Sequence, residues 1–268
     1  VNKTNFLMQD YVRAKKHLGQ HFLTDQTIAL NIVNSLLEID NVTPIIEVGP
    51  GTGVLTQFLI NSQEKFLAID LDTESVNFLK NKYPQQSSKI LMADFLKSDL
   101  KPFIGEKYNL IGNFPYNISS QIMFNVLENK NHIDCVVGMF QREVALRIAE
   151  KPGTKVYGIL SVLLQAFYDI EYLFTVNENV FNPPPKVKSA VIRLTRNKIN
   201  KLDCDEVLFK KVIKTAFNQR RKTIRNSVRS LFNNNEVRHP LLDKRPEQLS
   251  VSQFAELTQF IDESSKSQ

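Results

Sequence analysis

The sequence predicts an α/β chain, a doubly wound Rossmann-like sheet followed by a small all-helical C-terminal domain, and three observations carry that expectation. Short apolar runs alternate with stretches of helical periodicity between residues 28 and 148. One of those runs, Pro44 to Val48, opens into Gly49-Pro50-Gly51-Thr52-Gly53, a strand and turn suited to holding a small molecule against the backbone. After Arg196 the pattern becomes wholly helical, through Val207, Val212 and Phe217, then Ile224 and Val228, then Val251, Phe254, Leu257 and Ile261.

Taken in order, residues 1 to 23 are polar and basic around Tyr11 and end in Lys15-Lys16-His17-Leu18-Gly19-Gln20-His21-Phe22-Leu23. Asp25 is placed to cap a helix carrying Ile28, Ile32, Val33, Leu36 and Leu37. Strands are expected over Pro44–Val48, Phe66–Ile69, Lys89–Met92, Tyr108–Ile111 and Ile133–Met139. Between them fall helices over Val54–Ile60, Ser75–Lys82, the stretch with Ile118, Ile122, Met123, Val126 and Leu127, and one through Val144, Ala145 and Ile148. Lys151-Pro152-Gly153 breaks the last, and residues 156–167 again read as helix. Ile170–Val176 and Val187–Leu194 form a final antiparallel pair, joined through Phe181-Asn182-Pro183-Pro184-Pro185, a stiff loop expected to present Phe181. The boundary near 196 to 203 divides the chain into domains 1–196 and 197–268, with turns at Asn233-Asn234-Asn235, Pro240 and Pro246 and fraying from Ser264 to Gln268.

At 268 residues the chain can bury a full core and carry a second small domain. Cys135 and Cys204 are too few for a disulfide framework or a cysteine metal set, so a reducing compartment is expected. No signal peptide and no membrane-length apolar run is visible, which makes a cytoplasmic protein the expectation, with a monomer as the default state. The formal charge of +6 is uneven: Pro183 to Arg245 holds 17 Lys and Arg against 5 Asp and Glu, a local +12. Such concentration favours a polyanionic partner over a merely solvated basic face.

Ligands of an open parallel sheet sit beyond the carboxyl ends of its strands. Those ends carry Glu47 with the glycine turn, Asp70, which falls 19 residues after Gly51, then Asp94 with Phe95, and Asn113-Phe114-Pro115-Tyr116. Asp70 is placed to take a ribose hydroxyl pair. NAD and S-adenosylmethionine both remain open as the cofactor, although Gly49-x-Gly51-x-Gly53 lacks the two-residue gap of the dinucleotide fingerprint. Asn113 offers a side-chain carbonyl, and Pro115 holds the Phe114 carbonyl in a fixed direction; two such acceptors suit an exocyclic NH₂. Tyr116, and Phe181 across the pocket, are candidates to stack on a purine.

With these residues in place, the chain resembles the S-adenosylmethionine-dependent rRNA adenine N6,N6-dimethyltransferases, and within them the bacterial small-subunit, kasugamycin-resistance type. The likeness runs from Lys16 to the last helix and is carried by Leu18-Gly19-Gln20-His21-Phe22-Leu23, Glu47 to Gly53, Asn113 to Ser119, Phe181 to Ser189, and Phe217-Asn218-Gln219-Arg220-Arg221-Lys222-Thr223-Ile224. It implies a methyltransferase sheet in which Gln20, His21, Leu23, Gly49 and Gly51 flank the methionine end of the cofactor. It further implies Asp70 at the ribose, Asp94 at the adenine, Asn113 beside the methyl, and Tyr116 and Phe181 on the target base, with Glu47, Leu71 and Phe95 also among the cofactor-binding residues. The implied reaction is transfer of four methyls to two adjacent adenosines in the 3′-terminal hairpin of 16S rRNA within the 30S or pre-30S subunit, without a metal. Arg220, Arg221, Lys222 and Arg225 would lie on phosphate. Two positions depart from the common pattern: Asp70 stands for Glu, with Asp72 facing the same side if the strand continues, and His21 stands for Asn.

Two other functions are compatible with these residues: a 23S rRNA adenine methyltransferase of the macrolide-resistance type, and a ribosome-assembly factor with secondary catalysis. A mitochondrial transcription factor on the same fold is disfavoured, since no transit peptide precedes Lys15. His17 and His132 have no partner at metal-ligand spacing, His239 reads as a turn residue, Arg142 and Glu143 as structural or orienting, and Tyr157 with Gly158 as shaping the substrate entrance.

Overall fold

Asp25 begins the first regular helix, accepting the Ile28 amide at 3.0 Å in the computed structural model, which describes residues 12–40, 42–100, 105–232 and 238–266. The residues around Tyr11 and the Asn233–Asn235 turn lie outside that range. The chain divides into two compact units. One holds the chain up to Ala145 together with Glu171–Arg196, the other Leu146–Ile170 together with the chain from Asn197 onward.

In the first unit the strand β1 (Phe22–Leu23) leads into α1 (Gln26–Leu37), and the sheet follows: β2 (Ile45–Val48), β3 (Phe66–Asp70), β4 (Ile90–Met92), β5 (Tyr108–Asn113) and β6 (Ile133–Gln141). After these come β7 (Tyr168–Val176), β8 (Phe181–Asn182) and β9 (Ser189–Arg196). The sheet order is β4-β3-β2-β5-β6-β9-β7. β2 runs parallel to both β3 and β5, with Ile45 opposite Phe66 on one side and Asn109 on the other, and β9 runs antiparallel to β6. All four residues of β2 are buried, as a central parallel strand covered on both faces requires. Asn109 is the polar exception inside β5; its Oδ1 accepts the Cys135 amide at 2.9 Å and its Nδ2 donates to Asp40, so the polar side chain is satisfied where the ladder shifts register.

The helices crossing back between these strands include α2 (Thr56–Leu59), α3 (Thr73–Lys82), α4 (Ser119–Glu128) and α5 (Arg142–Ala149). α2 is shorter than the Val54–Ile60 expected from apolar spacing. Gly53, at φ +83, turns back onto Pro50 O and delays the first regular turn, and Leu79 occupies the space where a Cβ would stand. β1 and β8 pair as a separate two-stranded sheet, Leu23 opposite Phe181. Two-residue strands carry no readable alternation, and neither was expected from sequence.

The second unit corrects the contiguous division at residue 196. Its α6 (Ile159–Gln165) starts after Gly158 rather than at 156, and Tyr157 is wholly buried beside Phe217, 6.3 Å between ring centres. Tyr157 therefore belongs to the core of the helical unit and shapes no substrate entrance. α7 (Glu206–Asn218) is capped by Asp205 and buries Phe209, Val212, Ile213 and Ala216; α8 (Ile224–Ser227) is a single turn, and α9 (Val251–Lys266) supplies Phe254, 6.0 Å from Phe217. α9 continues through Ser264, where fraying was expected. His239 caps the turn Pro240–Asp243, accepting the Leu241 amide at 3.3 Å.

Phe114 shows how tightly the first unit is packed. Its ring lies against Phe140, and a Cβ on Gly138 would come within 2.2 Å of it. Gly138→Ala is expected to cost ~1–3 kcal/mol through overpacking, with part of the loss recovered in the Gly138→Ala/Phe114→Leu double variant. Urea unfolding midpoints of the two variants check this, and equal midpoints would dissociate the two positions.

Candidate active site

β2 and β5 are neighbours, while β3 and β4 follow β2 to one side, so the strand order reverses between Val48 and Asn113. That is the place where an open α/β sheet leaves a crevice beyond its strand ends. The crevice is walled by Gly49 and Gly51, by Asp70 and Leu71, by Asp94 and Phe95, and by Asn113 to Ile118, and it is roofed by Leu18 to Phe22.

Each wall has a local cause. Gly51 takes φ +54, and the ring of Phe22 sits 2.7 Å from where its Cβ would be, so only glycine lets the roofing segment lie down on the turn. The Gly51 amide donates to Asp70 Oδ2 at 3.2 Å, and Asp70 Oδ1 accepts the Asp72 amide at 2.9 Å. Burial pushes the Asp70 carboxyl above its ordinary range, partly offset by those two amides. Asn113 closes β5, and its Nδ2 donates to the His21 carbonyl at 2.8 Å. With the nitrogen committed, Oδ1 is the end left for the crevice. Pro115 holds the following turn and stands 3.6 Å from where a Cβ on Gly49 would lie. Tyr116 shares a hydrogen bond with Ser189 Oγ and stacks on His21, 5.4 Å between ring centres and 27° between planes. The His21 Nδ1 lies 2.8 Å from the Pro183 carbonyl, which can only accept, so the imidazole carries a proton there.

Of the residues expected at the site, Gln20, His21, Gly49, Gly51, Asp70, Leu71, Asp94, Phe95, Asn113, Phe114, Pro115 and Tyr116 do line one crevice. Three do not. Phe181 is 4% exposed and packs in the core with Leu23, because β8 pairs with β1 instead of forming the tip of a presenting loop. Leu23 is 2% exposed for the same reason. Glu47 lies behind the turn, 1% exposed, where Oε2 accepts the Thr56 hydroxyl at 2.7 Å. Asp72 also departs from expectation: β3 ends at Asp70, so Asp72 caps α3 through the Glu74 amide and the Ser75 hydroxyl and does not face the crevice with Asp70. Leu18, Gly19, Phe22, Val48, Ile69, Ala93, Leu96, Asn117 and Ile118 line it as well and were missed; Ile69 and Ala93 directly precede Asp70 and Asp94, and that adjacency is the signal that would have found those two.

The electrostatics of the crevice favour one ligand chemistry. Two carboxylates, Asp70 and Asp94, and three side-chain amides, Gln20, Asn113 and Asn117, line it, and no lysine or arginine is among its described lining residues. A pyrophosphate would meet like charge there, whereas a nucleoside bearing a cationic centre would not. Leu71 is 58% exposed despite being apolar, which leaves a hydrophobic surface beside Asp70 for a flat ring or a ribose. Among the described residues no cluster of His, Cys, Asp and Glu is arranged to hold a metal, and no helix is long and apolar enough to cross a membrane.

A parallel sheet with one antiparallel strand near its edge, a glycine turn at the switch point and acids on the next two strands define a methyltransferase of the Rossmann-like class. The family described as ribosomal RNA adenine dimethylase matches residues 11–263, and the chain belongs to that family of S-adenosylmethionine-dependent enzymes. It is 55% identical over 249 residues to the ribosomal RNA small subunit methyltransferase A of Parabacteroides distasonis, covering 92% of this chain and 93% of that one. The corresponding protein of Cytophaga hutchinsonii is 54% identical over 252 residues, 93% of this chain and 98% of its own. In fold, the chain is similar to a dimethyladenosine transferase from Plasmodium falciparum (TM-score 0.75, 22% identity, 91% of this chain and 98% of that one) and to the 23S rRNA methyltransferase ErmE (TM-score 0.65, 23% identity, 90% and 99%).

Burial raises the Glu47 carboxyl to about 8, opposed by the Thr56 hydroxyl, with the Asp70 charge adding to the rise. The folded state therefore keeps a proton that the unfolded chain gives up near pH 4.5. Stability from this group is full below that pH and is lost as pH climbs toward 8, at up to ~1.4 kcal/mol per pH unit. Glu47→Gln, which still accepts from Thr56, is expected to flatten the slope between pH 5 and 8. Unfolding midpoints across that range for both proteins decide it, and parallel curves would remove Glu47 as the source.

Proposed function

We propose that this protein transfers four methyl groups from S-adenosylmethionine to the N6 atoms of two adjacent adenosines in the 3′-terminal hairpin loop of 16S rRNA, acting as a cytoplasmic monomer during small-subunit biogenesis. The observation that carries this reading is the orientation of Asn113: its nitrogen is bound to the His21 carbonyl, which leaves an acceptor oxygen at the crevice between the glycine turn and Tyr116. The two relatives named for the small subunit share more than half of their residues with this chain over nearly its full length, which supports the choice of that RNA over the 23S alternative.

The lining residues fit S-adenosylmethionine. Asp70 is oriented by the Gly51 amide toward a ribose, Leu71 and Phe95 offer apolar surface to the adenine with Asp94 beside them, and Gly49 leaves room at the methionine end. Bound there, the cofactor supplies an electrophilic methyl on a sulfonium. The chain's own work is to hold the target amine. Asn113 Oδ1 and the Phe114 carbonyl accept the hydrogens the amine carries, two before the first transfer and one before the second, and aim the nitrogen lone pair, while Tyr116, braced by Ser189, offers a ring for stacking. The nitrogen attacks first and loses its proton afterward, so no strong base is required, and most of the contribution is orientation.

In the helical unit the basic residues differ in how they are engaged. Arg220 donates to the Thr154 carbonyl at 3.2 Å, with its Nε 3.8 Å from Glu247, and Arg225 pairs with Asp243 at 2.8 Å, whereas Arg221 and Lys222 are exposed. Arg221 and Lys222 are therefore the better phosphate contacts.

Incubation of undermethylated 30S subunits with tritiated S-adenosylmethionine, followed by nucleoside analysis, should place label in N6,N6-dimethyladenosine of the 3′-terminal hairpin. Label in 23S rRNA instead, or binding without label, would overturn the reading. Asn113→Ala is expected to abolish transfer while subunit binding stays within about twofold, and equal loss of both would assign Asn113 to the fold. Reversing Arg221 and Lys222 to Glu should reduce the slope of log affinity against log salt by about two, the scale for two phosphate contacts. An unchanged slope would return both to the solvated surface.

A further inference from the structure

The segment that roofs the crevice is tied down at both ends, and one of its anchors has no part in binding or chemistry. At its far end Thr24 donates through its amide and its hydroxyl to the Val180 carbonyl, both at 2.9 Å. At its near end everything converges on Asp72. The Lys15 ammonium pairs with Asp72 Oδ1 and lies 3.2 Å from Glu74, while Gln20 Nε2 donates to Asp72 Oδ2 at 3.2 Å and Gln20 Oε1 accepts the Lys15 amide at 2.8 Å. Lys15 and Gln20 thus close a loop, and a single carboxylate holds both ends of it. That loop contains Leu18 and Gly19, which wall the crevice.

We infer that Asp72 and Lys15 are positioning residues that set how tightly the cofactor is held, by latching the Lys15–Gln20 loop over the crevice. The inference rests on the reading of that crevice as the S-adenosylmethionine site. Asp72 suits the task because it is already immobile: it caps α3 through the Glu74 amide and the Ser75 hydroxyl, and its side chain is 1% exposed. Burial alone would push its carboxyl up, yet Lys15, Gln20, Ser75 and the Glu74 amide together hold it below its ordinary range, so it stays charged. Lys15 is raised in turn, chiefly by its hydrogen bond to Asp72. Because the latch lies outside the crevice, its loss lets the roof lift without removing any group that touches the ligand.

The test measures S-adenosylmethionine affinity by calorimetry and steady-state kinetics on 30S subunits for the full chain, Lys15→Met, Lys15→Arg, Asp72→Asn and the Lys15→Met/Asp72→Asn double variant. Asparagine still caps a helix through Oδ1, while its Nδ2 cannot accept from Gln20, so Asp72→Asn removes both the charge that holds Lys15 and the Gln20 anchor. Expected are a rise of about tenfold in the cofactor Kd and KM for each single neutral variant, the scale of one charge-assisted hydrogen bond, with kcat and melting temperature within error of the parent. Lys15→Arg should recover most of the affinity, and the double variant should be no weaker than either single one. Unchanged affinity in Lys15→Met, or a loss that follows a fall in melting temperature and is additive in the double variant, would overturn the latch. If the unmodified chain itself binds no S-adenosylmethionine, the functional reading of the crevice falls first and the latch falls with it.

Discussion

The contact of the Phe22 ring with Gly51 is the constraint on which the site depends. It requires a residue without a side chain at the centre of the turn, a left-handed backbone there, and an N-terminal segment that runs back across the strand ends. Once Phe22 lies on the turn, His21 is carried next to Asn113 and Tyr116, and the amide of Asn113 finds the His21 carbonyl. The crevice is thus made of two layers of different origin. The sheet supplies its floor and acids, and the chain ahead of the sheet supplies its roof and fixes which way the Asn113 amide points.

Charge decides what such a crevice accepts. The basic excess of the sequence lies after Pro183, and the described crevice lining carries none of the lysines or arginines. The basic side chains and the acids of the crevice therefore lie apart in the sequence. An acid-lined pocket in a basic chain resists filling by free phosphate compounds, and the exposed Arg221 and Lys222 of the helical unit offer the charge that a backbone of phosphates would meet.

Much of the floor was legible in the sequence and little of the roof. The strand carrying Glu47, the acid at Asp70 and the Asn113 turn follow from apolar runs that end in polar groups, a signal that a parallel sheet makes unavoidable. Where Phe181 and Tyr157 lie was not legible. A phenylalanine just ahead of three prolines reads as a presented residue, but its partner strand is two residues long and its paired residue, Leu23, lies 158 positions earlier, and nothing local announces that pairing. Glu47 misled for a different reason: the strand end was correctly located, but which side of the turn its carboxylate takes depends on Thr56, nine residues later. Asp70 and Asp72 show the same limit, since a two-residue difference in where β3 stops separates a crevice wall from a helix cap.

The two units are interleaved along the chain, which passes from one to the other at residues 145, 170 and 196. A gene fragment cut after Arg196 would look from its sequence like a complete catalytic half. It would keep Tyr157, Leu163 and Leu164 and discard Phe217 and Phe254, the rings that line up beside Tyr157 in the helical unit. The truncated product would carry an uncovered aromatic and aliphatic surface and would be prone to aggregate. A half-protein of use for cofactor studies would have to be made by replacing residues 146–170 with a short linker between α5 and β7, so that the apolar stretch leaves together with the helices that cover it.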